Sequence, residues 1–585
     1  MTLRTPGVYI VEKSAFPNSV VEVATAVPVF IGYTQMAVNE GRSLKGVPWR
    51  ISSMSEYIRC FGVEPRAQFT IEGPSAENDA ANADKDKGKN NDRPASKTEA
   101  AAPSPVAPRG QESVFTWNKK QYKIKRAAAE GGGRYLMYLA MQHFFANGGA
   151  ACYIVSVGDF HQAITAADLI VGLEPLLKEQ EPTMVVVPDA VLLDQAGCLK
   201  VQQEVLLHCG HKMRNRVAIL DVWGGDRDRK DTLFAYNCID EFRNGIGSNQ
   251  LDFAAAYFPW LQTSLVQPDD LDFSAFGTDA KLAGLRDLLK ADLGITVAST
   301  AINDPRLKQR AEALDDMVMT EQQWVDKLKV GIAADDEKDD AAQAAATREI
   351  DDLVADPEKK KALVASHRAL LQKSLVAMSD LYACILKEAC GQVSLIPPSA
   401  AMAGLYTMVD NSRGVWKAPA NISVNAVVKP AVEISQDDQE DLNVTIQGKS
   451  INAIRSFIGE GALVWGARTL DGNSLDWRYI SVRRTAIMLE QSCRLAAKAM
   501  VFEPNVGNTW VTIKSMLSNF LTGIWKRGGL AGETLDDAFS VHLGLGETMT
   551  PEDVLEGILR ITVLVAISRP AEFIEITFQQ QMQKS

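Results

Sequence analysis

The apolar and polar positions at the two ends of the chain alternate as strands do, yet neither end has a partner in nearby sequence. The stretch TPGVYIVEKS (5–14) places the β-branched and aromatic run Val8, Tyr9, Ile10 and Val11 after a Pro6–Gly7 turn. At the other end, RPAEFIEITFQQQ (569–581) follows Phe573 with Ile574, Ile576 and Phe578 on one face and Glu575, Thr577 and Gln579 on the other. A second extended segment, NSVVEVATAVPVFIGYT (18–34), includes Val21 and Val23 and runs to a glycine turn. A strand with no hairpin partner exposes a row of backbone groups unless another chain supplies the edge.

Between the ends the pattern changes period. From 131 to about 260, helices at RYLMYLAMQHFFANGG, near 162–178, near 192–211 and near 230–244 alternate with apolar strands at ACYIVSV, TMVVVPD, RVAILDVW and DFAAAYFPW. Near-continuous apolar strands separated by helices imply a mostly parallel sheet covered by helices. Residues 275–390 read as helical and highly charged. The last third predicts a strand at GALVWGARTL (461–470) and long amphipathic helices over 479–502 and 508–529. It closes with two strand-like runs separated at Pro570.

Composition sharpens three points. The segment from about 72 to 113 has no aromatic and almost no branched aliphatic residue, so it reads as a disordered or loosely ordered surface insertion. The net charge of −12, with no cluster of Lys and Arg, argues against nucleic acid as a partner. Eight scattered cysteines suit buried free thiols of a reducing compartment. No signal peptide is expected, and apolar runs such as ITVLVAI (561–567) fall short of a bilayer span, so the reading is a soluble protein made in the cytoplasm, without direct membrane insertion.

Candidate chemistry is sparse. NVTIQGKS (443–450), read as leading into a helix INAIRSF, approaches a phosphate-binding loop with Lys449, but Asn443 stands where the motif needs its first glycine. Asp221, ending VAILD, resembles a Mg²⁺-binding strand terminus, but it precedes the GKS by over 200 residues, the reverse of the usual order. HCGH (208–211) lacks a second ligand pair for zinc and reads as a helix end stopped by Gly210. GGG (131–133) lacks a preceding strand and reads as a flexible join. No catalytic residue, metal site or cofactor is assigned, and the chain is read as a non-enzyme.

Several spaced stretches carry a family resemblance. TPGVYIVE with TAVPVFIGYT, PPSAAMAGLYTMVDNSRGVWKAPAN (397–421), SINAIRSF followed by GALVWGARTL, WRYISVRRTAIMLEQS (477–492) and FEPNVGNTW…FLTGIWKRGGLAG (502–532) resemble the contractile tail sheath proteins of phages, R-type bacteriocins and phage-tail-like injection particles. The resemblance covers the first 35 residues and nearly all of 390–585, and more loosely 131–260. It implies an α/β chain, α+β overall, with the multidomain tail-sheath fold. The expected parts are an N-terminal arm with first strands (1–34), and a tube-proximal domain from 35–69 and 390–585 whose C-terminal arm begins near 569. A variable insertion (70–130) and an outward middle α/β domain (131–389), with a helical outer part at about 275–389, complete the chain.

The resemblance further implies a subunit that stacks in hexameric rings around an inner tube and contracts from a metastable extended state, driving the tube through a target envelope. Its arms would add strands to neighbouring copies. Partners would be the chain itself, an inner tube protein, baseplate and terminal cap proteins, and paralogous sheath subunits. Assembly in a bacterial cytoplasm would lead to a virion, a released particle or an envelope-anchored machine. Hinges are expected at Pro17–Asn18–Ser19 and Ser568–Arg569–Pro570, and tube contacts at Lys514, Lys526, Arg527, Glu552 and Asp553. The rival readings are a nucleotide hydrolase using Lys449 and Asp221, and a non-contractile baseplate module.

Overall fold

The computed structural model describes residues 20–73, 112–127, 134–230, 237–277, 279–333 and 340–576. The strand-like run Val8–Val11, the hinge at 17–19, Phe578 and the glycines 131–133 lie outside the described residues.

A nine-stranded sheet organises the molecule. Its strands in chain order are β1 (Pro28–Tyr33), β2 (Trp49–Ile51), β3 (Cys152–Gly158), β4 (Met184–Val186), β5 (Val217–Asp221), β6 (Ala254–Phe258), β7 (Ile422–Ser423), β8 (Asn452–Phe457) and β9 (Gly461–Val464). In space the order is β7-β9-β8-β6-β5-β4-β1-β3-β2. The central run β8-β6-β5-β4-β1-β3 is parallel, and antiparallel β9, β7 and β2 close the two sides. Every residue of β1, β4, β5 and β6 is buried, as apolar strands covered on both faces require. The sheet takes strands from both sides of the 389/390 boundary, so the expected middle and tube-proximal segments contribute to one layer.

Three helices pack on this sheet. They are α1 (Met137–Ala146), α2 (Gln195–Leu207) and α3 (Ser399–Arg413). α3 crosses α1 closely at Gly404, where a Cβ would stand 2.5 Å from the Phe144 carbonyl oxygen. Asp221, at the end of β5, receives the Ser399 amide (2.8 Å) and hydroxyl (2.5 Å), so it holds the N-terminus of α3. That accounts for a buried carboxylate at a strand end without a metal ion.

A second core forms behind the last helices. α4 (Ile480–Lys498) places Ile480 and Ile487 in the large core but Met488 and Leu489 in the second, with Ile513, Leu517, Leu521 and Ile524 of α5 (Gly507–Lys526). A two-stranded antiparallel sheet, β10 (Phe539–His542) with β11 (Thr562–Val565), completes this module. At the crossover on α4, Arg484 pairs with Asp410 of α3 at 2.5 Å, the two side chains 4% and 2% exposed. Arg484 also lies over the Tyr406 ring.

Several expectations are corrected. INAIRSF is not a helix but strand β8, because it pairs with β6 in the sheet interior and Ala453 and Ile454 are buried there. The HCGH segment does not stop at Gly210. α2 continues as a π-turn through His208–Met213 and ends where Arg214 takes a left-handed φ of 58°. The run GALVWGARTL is a strand only over β9. At the margins of the expected 70–130 insertion, Gln68–Glu72, Glu112–Trp117 and Lys120–Ala127 form a three-stranded antiparallel sheet, while 74–111, nearly all of the stretch read as loose, lies outside the described residues. The sheet's turn uses Asn118 and Lys119, both at positive φ, and Phe115, Tyr122 and Ile124 reach the large core. The helical expectation for 275–390 matches helices from Ala283–Asp292 to Asp380–Val393. The cysteines of the structure are free, and Cys384 and Cys493 are half-buried while the others are buried. Among the described residues no single helix is long and apolar enough to cross a membrane.

Two measurements check this construction. Asp410→Ala strands the Arg484 cation inside the protein and is expected to cost about 3–5 kcal/mol in chemical denaturation, whereas the double change Asp410→Leu with Arg484→Met recovers most of it. Burial pushes the Asp221 carboxyl from 3.8 up to about 7, against the two bonds from Ser399. The folded chain therefore holds that proton between about pH 4 and 7 where the unfolded chain releases it, and the stability it contributes is lost as pH rises through the window. Asp221→Asn removes this slope, so its melting temperature relative to the parent is expected to rise between about pH 4.5 and 7.5.

Candidate functional site

Among the described residues, the segments next to both chain ends leave apolar side chains exposed, at Val21 and at Phe573, Ile574 and Ile576. Residues 20–27 run extended along α4 before entering β1. The Val23 amide donates to Ser492 Oγ (3.1 Å), and the Thr25 carbonyl accepts from Arg484 Nη2 (3.0 Å) and Thr183 Oγ1 (2.7 Å). Val20 and Val23 pack on the second core while Val21 is 77% exposed. None of the three lies in a strand.

The C-terminal root is more heavily tied. Ser568 bonds the Gly528 and Gly529 carbonyls, and Arg569 Nη1 donates to the Leu475 carbonyl at 2.9 Å. Glu572 then takes donors from Arg468, Tyr479 and Asn443. Burial raises the Glu572 carboxyl, but the bonds from these three residues outweigh it and hold the group below its usual range. Immediately beyond, Phe573, Ile574 and Ile576 are 73%, 80% and 70% exposed and belong to no strand. The segment 568–570, expected as a hinge, is thus bonded to the body.

Three exposed apolar side chains in a row of four invite a partner, and an acceptor is close by in the fold. The β10–β11 sheet has two strands only, and neither outer edge pairs with a further strand among the described residues. On β11, Leu564 and Val565 are exposed. A two-stranded ribbon is marginal alone and gains from each added strand.

The residues expected at a tube surface fall into two groups. Lys514 and Lys526 are exposed on α5, and Glu552 is exposed on the first turn of a short helix, Pro551–Leu555. Arg527 instead pairs with Glu22 at 2.5 Å and lies over the Trp416 ring, tying α5 to the N-terminal root. Asp553 caps the short helix through Thr550 and pairs with Arg560, and these bonds hold it down at about 2.

The nucleotide candidates do not assemble. Lys449 Nζ donates to the Arg243 carbonyl, Ser450 Oγ to the Asn443 carbonyl, and a strand rather than a helix follows the GKS. A phosphate cradle needs the helix N-terminus that is missing here. Asp221 is engaged elsewhere, with Ser399. His208 is buried next to Arg216, and burial with that cation pushes its imidazole down to about 4. Among the described residues no group of His, Cys, Asp or Glu is arranged to hold a metal.

Arg468, Tyr479, Arg484 and Asp410 were not singled out from sequence, and Asn443 was noted only as the residue in place of the phosphate loop's first glycine. The available signal was a charge inside an otherwise apolar run: Arg468 within GALVWGARTL, and Arg484 on the inward face of a long helix. Such charges are retained inside only when paired.

Comparison with known proteins places the C-terminal root in a recognised domain. Residues 473–581 match the family model of the phage tail sheath C-terminal domain, a span that holds α4, α5, the β10–β11 sheet and Glu572. The chain is 26% identical over 164 residues to the tail sheath protein of Vibrio phage KVP40, covering 28% of this chain and 23% of that protein. It is 27% identical over 138 residues to the tail sheath protein of Enterobacteria phage T4, covering 23% of this chain and 20% of that protein. The chain thus aligns with under a quarter of the length of these relatives. Among solved structures, the PVC sheath complex of an extracellular contractile injection system in its contracted state matches with a TM-score of 0.52 and 23% identity over 99% of both chains. The anti-feeding prophage helical sheath in the contracted state matches with a TM-score of 0.52 and 22% identity, covering 99% of this chain and 100% of that one. Residues 473–581 thus match the phage tail sheath C-terminal domain, and the chain as a whole has the fold of the contractile sheath structures.

Proposed function

We propose that this chain is a structural subunit of a contractile sheath, which polymerises around an inner tube and shortens from a metastable extended lattice to drive that tube through a target envelope. The observation that carries the reading is a donor and an acceptor of strands on the same module. An exposed, strand-patterned segment leaves the body after Glu572, and the two-stranded β10–β11 sheet has no further strand on either edge among the described residues. An arm from one copy added to β10 or β11 of another supplies main-chain hydrogen bonds, with alternate side chains seated on the acceptor. At about 1 kcal/mol for each net bond, a strand contributes a few kcal/mol per joint, and a lattice repeats that joint many times.

The N-terminal run Val8–Val11, continued by Val21 and Val23, serves as the second arm. Contraction energy resides in the difference between two packings of the lattice, so the subunit carries no catalytic centre and uses no cofactor. The names of the similar structures, a sheath complex and a baseplate of a contractile particle, support self-assembly and a baseplate partner. An inner tube protein, a terminal cap and paralogous sheath chains complete the partners. The finished particle is a virion or an injection device assembled in the cytoplasm of a bacterium. Lys514 and Lys526 face the tube, with Glu552 at the rim of the same surface.

Deleting 573–585, or 1–16, is expected to leave a folded monomer that forms neither rings nor tubes in negative-stain images. Normal tubes from both truncations would overturn the strand-arm reading. Reversing both charges, Lys514→Glu with Lys526→Glu, is expected to leave ring formation intact and to abolish co-sedimentation with the tube protein.

A further inference from the structure

Four donors converge on one carboxylate at the point where the chain leaves the body. Glu572 Oε1 accepts from Arg468 Nε (3.0 Å) and Asn443 Nδ2 (2.7 Å), while Oε2 accepts from Arg468 Nη2 (2.6 Å) and the Tyr479 hydroxyl (2.9 Å). The Arg468 side chain is 4% exposed and that of Glu572 20%. The third Arg468 nitrogen, Nη1, donates to the Asn443 carbonyl at 3.0 Å, so the guanidinium is saturated only while Glu572 is present. Removing the carboxylate would leave a buried cation without its counter-ion, a far larger penalty than losing an exposed ion pair.

The clasp is continuous with the large sheet. The Arg468 amide donates to Asn452 Oδ1 (2.7 Å), and Asn452 Nδ2 donates to the Arg468 carbonyl (2.8 Å) and the Ala256 carbonyl (3.2 Å). Asn452 opens β8 and Ala256 lies in β6, both inside the parallel run. Tyr479 immediately precedes α4, the helix shared by the two cores. One residue later, at Phe573, no hydrogen bond or ion pair of this kind continues among the described residues, and exposure rises to 73%. The change from held to unheld chain therefore falls at a single peptide bond.

We propose that the Glu572–Arg468 clasp is the pivot and load-bearing root of the C-terminal arm: the body extends through Glu572, the arm swings from Phe573, and tension on it passes through Arg468 and Asn452 into the nine-stranded sheet. The pivot lies beyond Pro570, and the small β10–β11 sheet is spared the load. The role in assembly rests on the sheath reading given above. The pivot itself is a property of the single chain.

A glutamate-specific protease separates the two. It cuts after Glu572 only if that carboxylate is released from Arg468, and after Glu575 wherever the arm is free. In the intact monomer, mass spectrometry is expected to show fast loss of 576–585 and slow loss of 573–585. Arg468→Ala should accelerate the cut after Glu572 by about tenfold or more, leaving the cut after Glu575 unchanged, since proteolysis tracks the local opening equilibrium. Tyr479→Phe, which removes one donor and preserves the fold, should give a smaller increase of the same sign if Arg468→Ala proves too unstable to purify. Equal rates at both bonds in the parent chain, or no acceleration in either variant, would overturn the pivot. Protection of Glu572 in a monomer that never forms tubes would leave the pivot standing and sink the sheath reading.

Discussion

The buried Arg484–Asp410 pair is the constraint on which the two-core architecture depends. A helix of nineteen residues passes from the large core into the smaller one, and its inward face must change partner midway. At that point Arg484 ties α4 to α3 through Asp410 and to the N-terminal strap through the Thr25 carbonyl. The desolvation of both charges is offset only because the geometry is bidentate and the remaining donor finds the backbone. Both modules are therefore joined through one helix.

The chain ends obey the same logic. Each departs from a buried arginine: Arg484 holds the carbonyl of Thr25, and Arg468 holds the carboxylate of Glu572. Between these anchors the body is closed, with a parallel sheet covered by helices and edges flanked by antiparallel strands. Outside them, among the described residues, Val21, Phe573, Ile574 and Ile576 are exposed. Motifs that first suggested chemistry are absorbed by the frame: Asp221 caps α3, and Lys449 holds the Arg243 carbonyl.

Much of this was legible in the sequence where a local rule suffices. The strands ACYIVSV, TMVVVPD, RVAILDVW and DFAAAYFPW and the helices around them follow from apolar runs and period. The same two-residue repeat led to a strand at 573–576, but in the single chain these residues are exposed and belong to no strand. The helix expected at INAIRSF failed because a seven-residue apolar stretch fits either period, and pairing with β6 decided it. The hairpin around Asn118–Lys119 was hidden by a turn without glycine and by the polar tract before it. The stop expected at Gly210 moved to Arg214 because the helix loosened into a π-turn.

The sequence by itself determined the alternating strand–helix core, the unpaired strand patterns at the ends and the lack of any spaced catalytic motif, since each rests on neighbours a few residues apart. Only the tertiary structure decided which charges are buried and what they hold. Arg468 meets Glu572 across 104 residues and Arg484 meets Asp410 across 74. No periodicity records such separations, because the free energy of a buried ion pair depends on the geometry that folding brings to it.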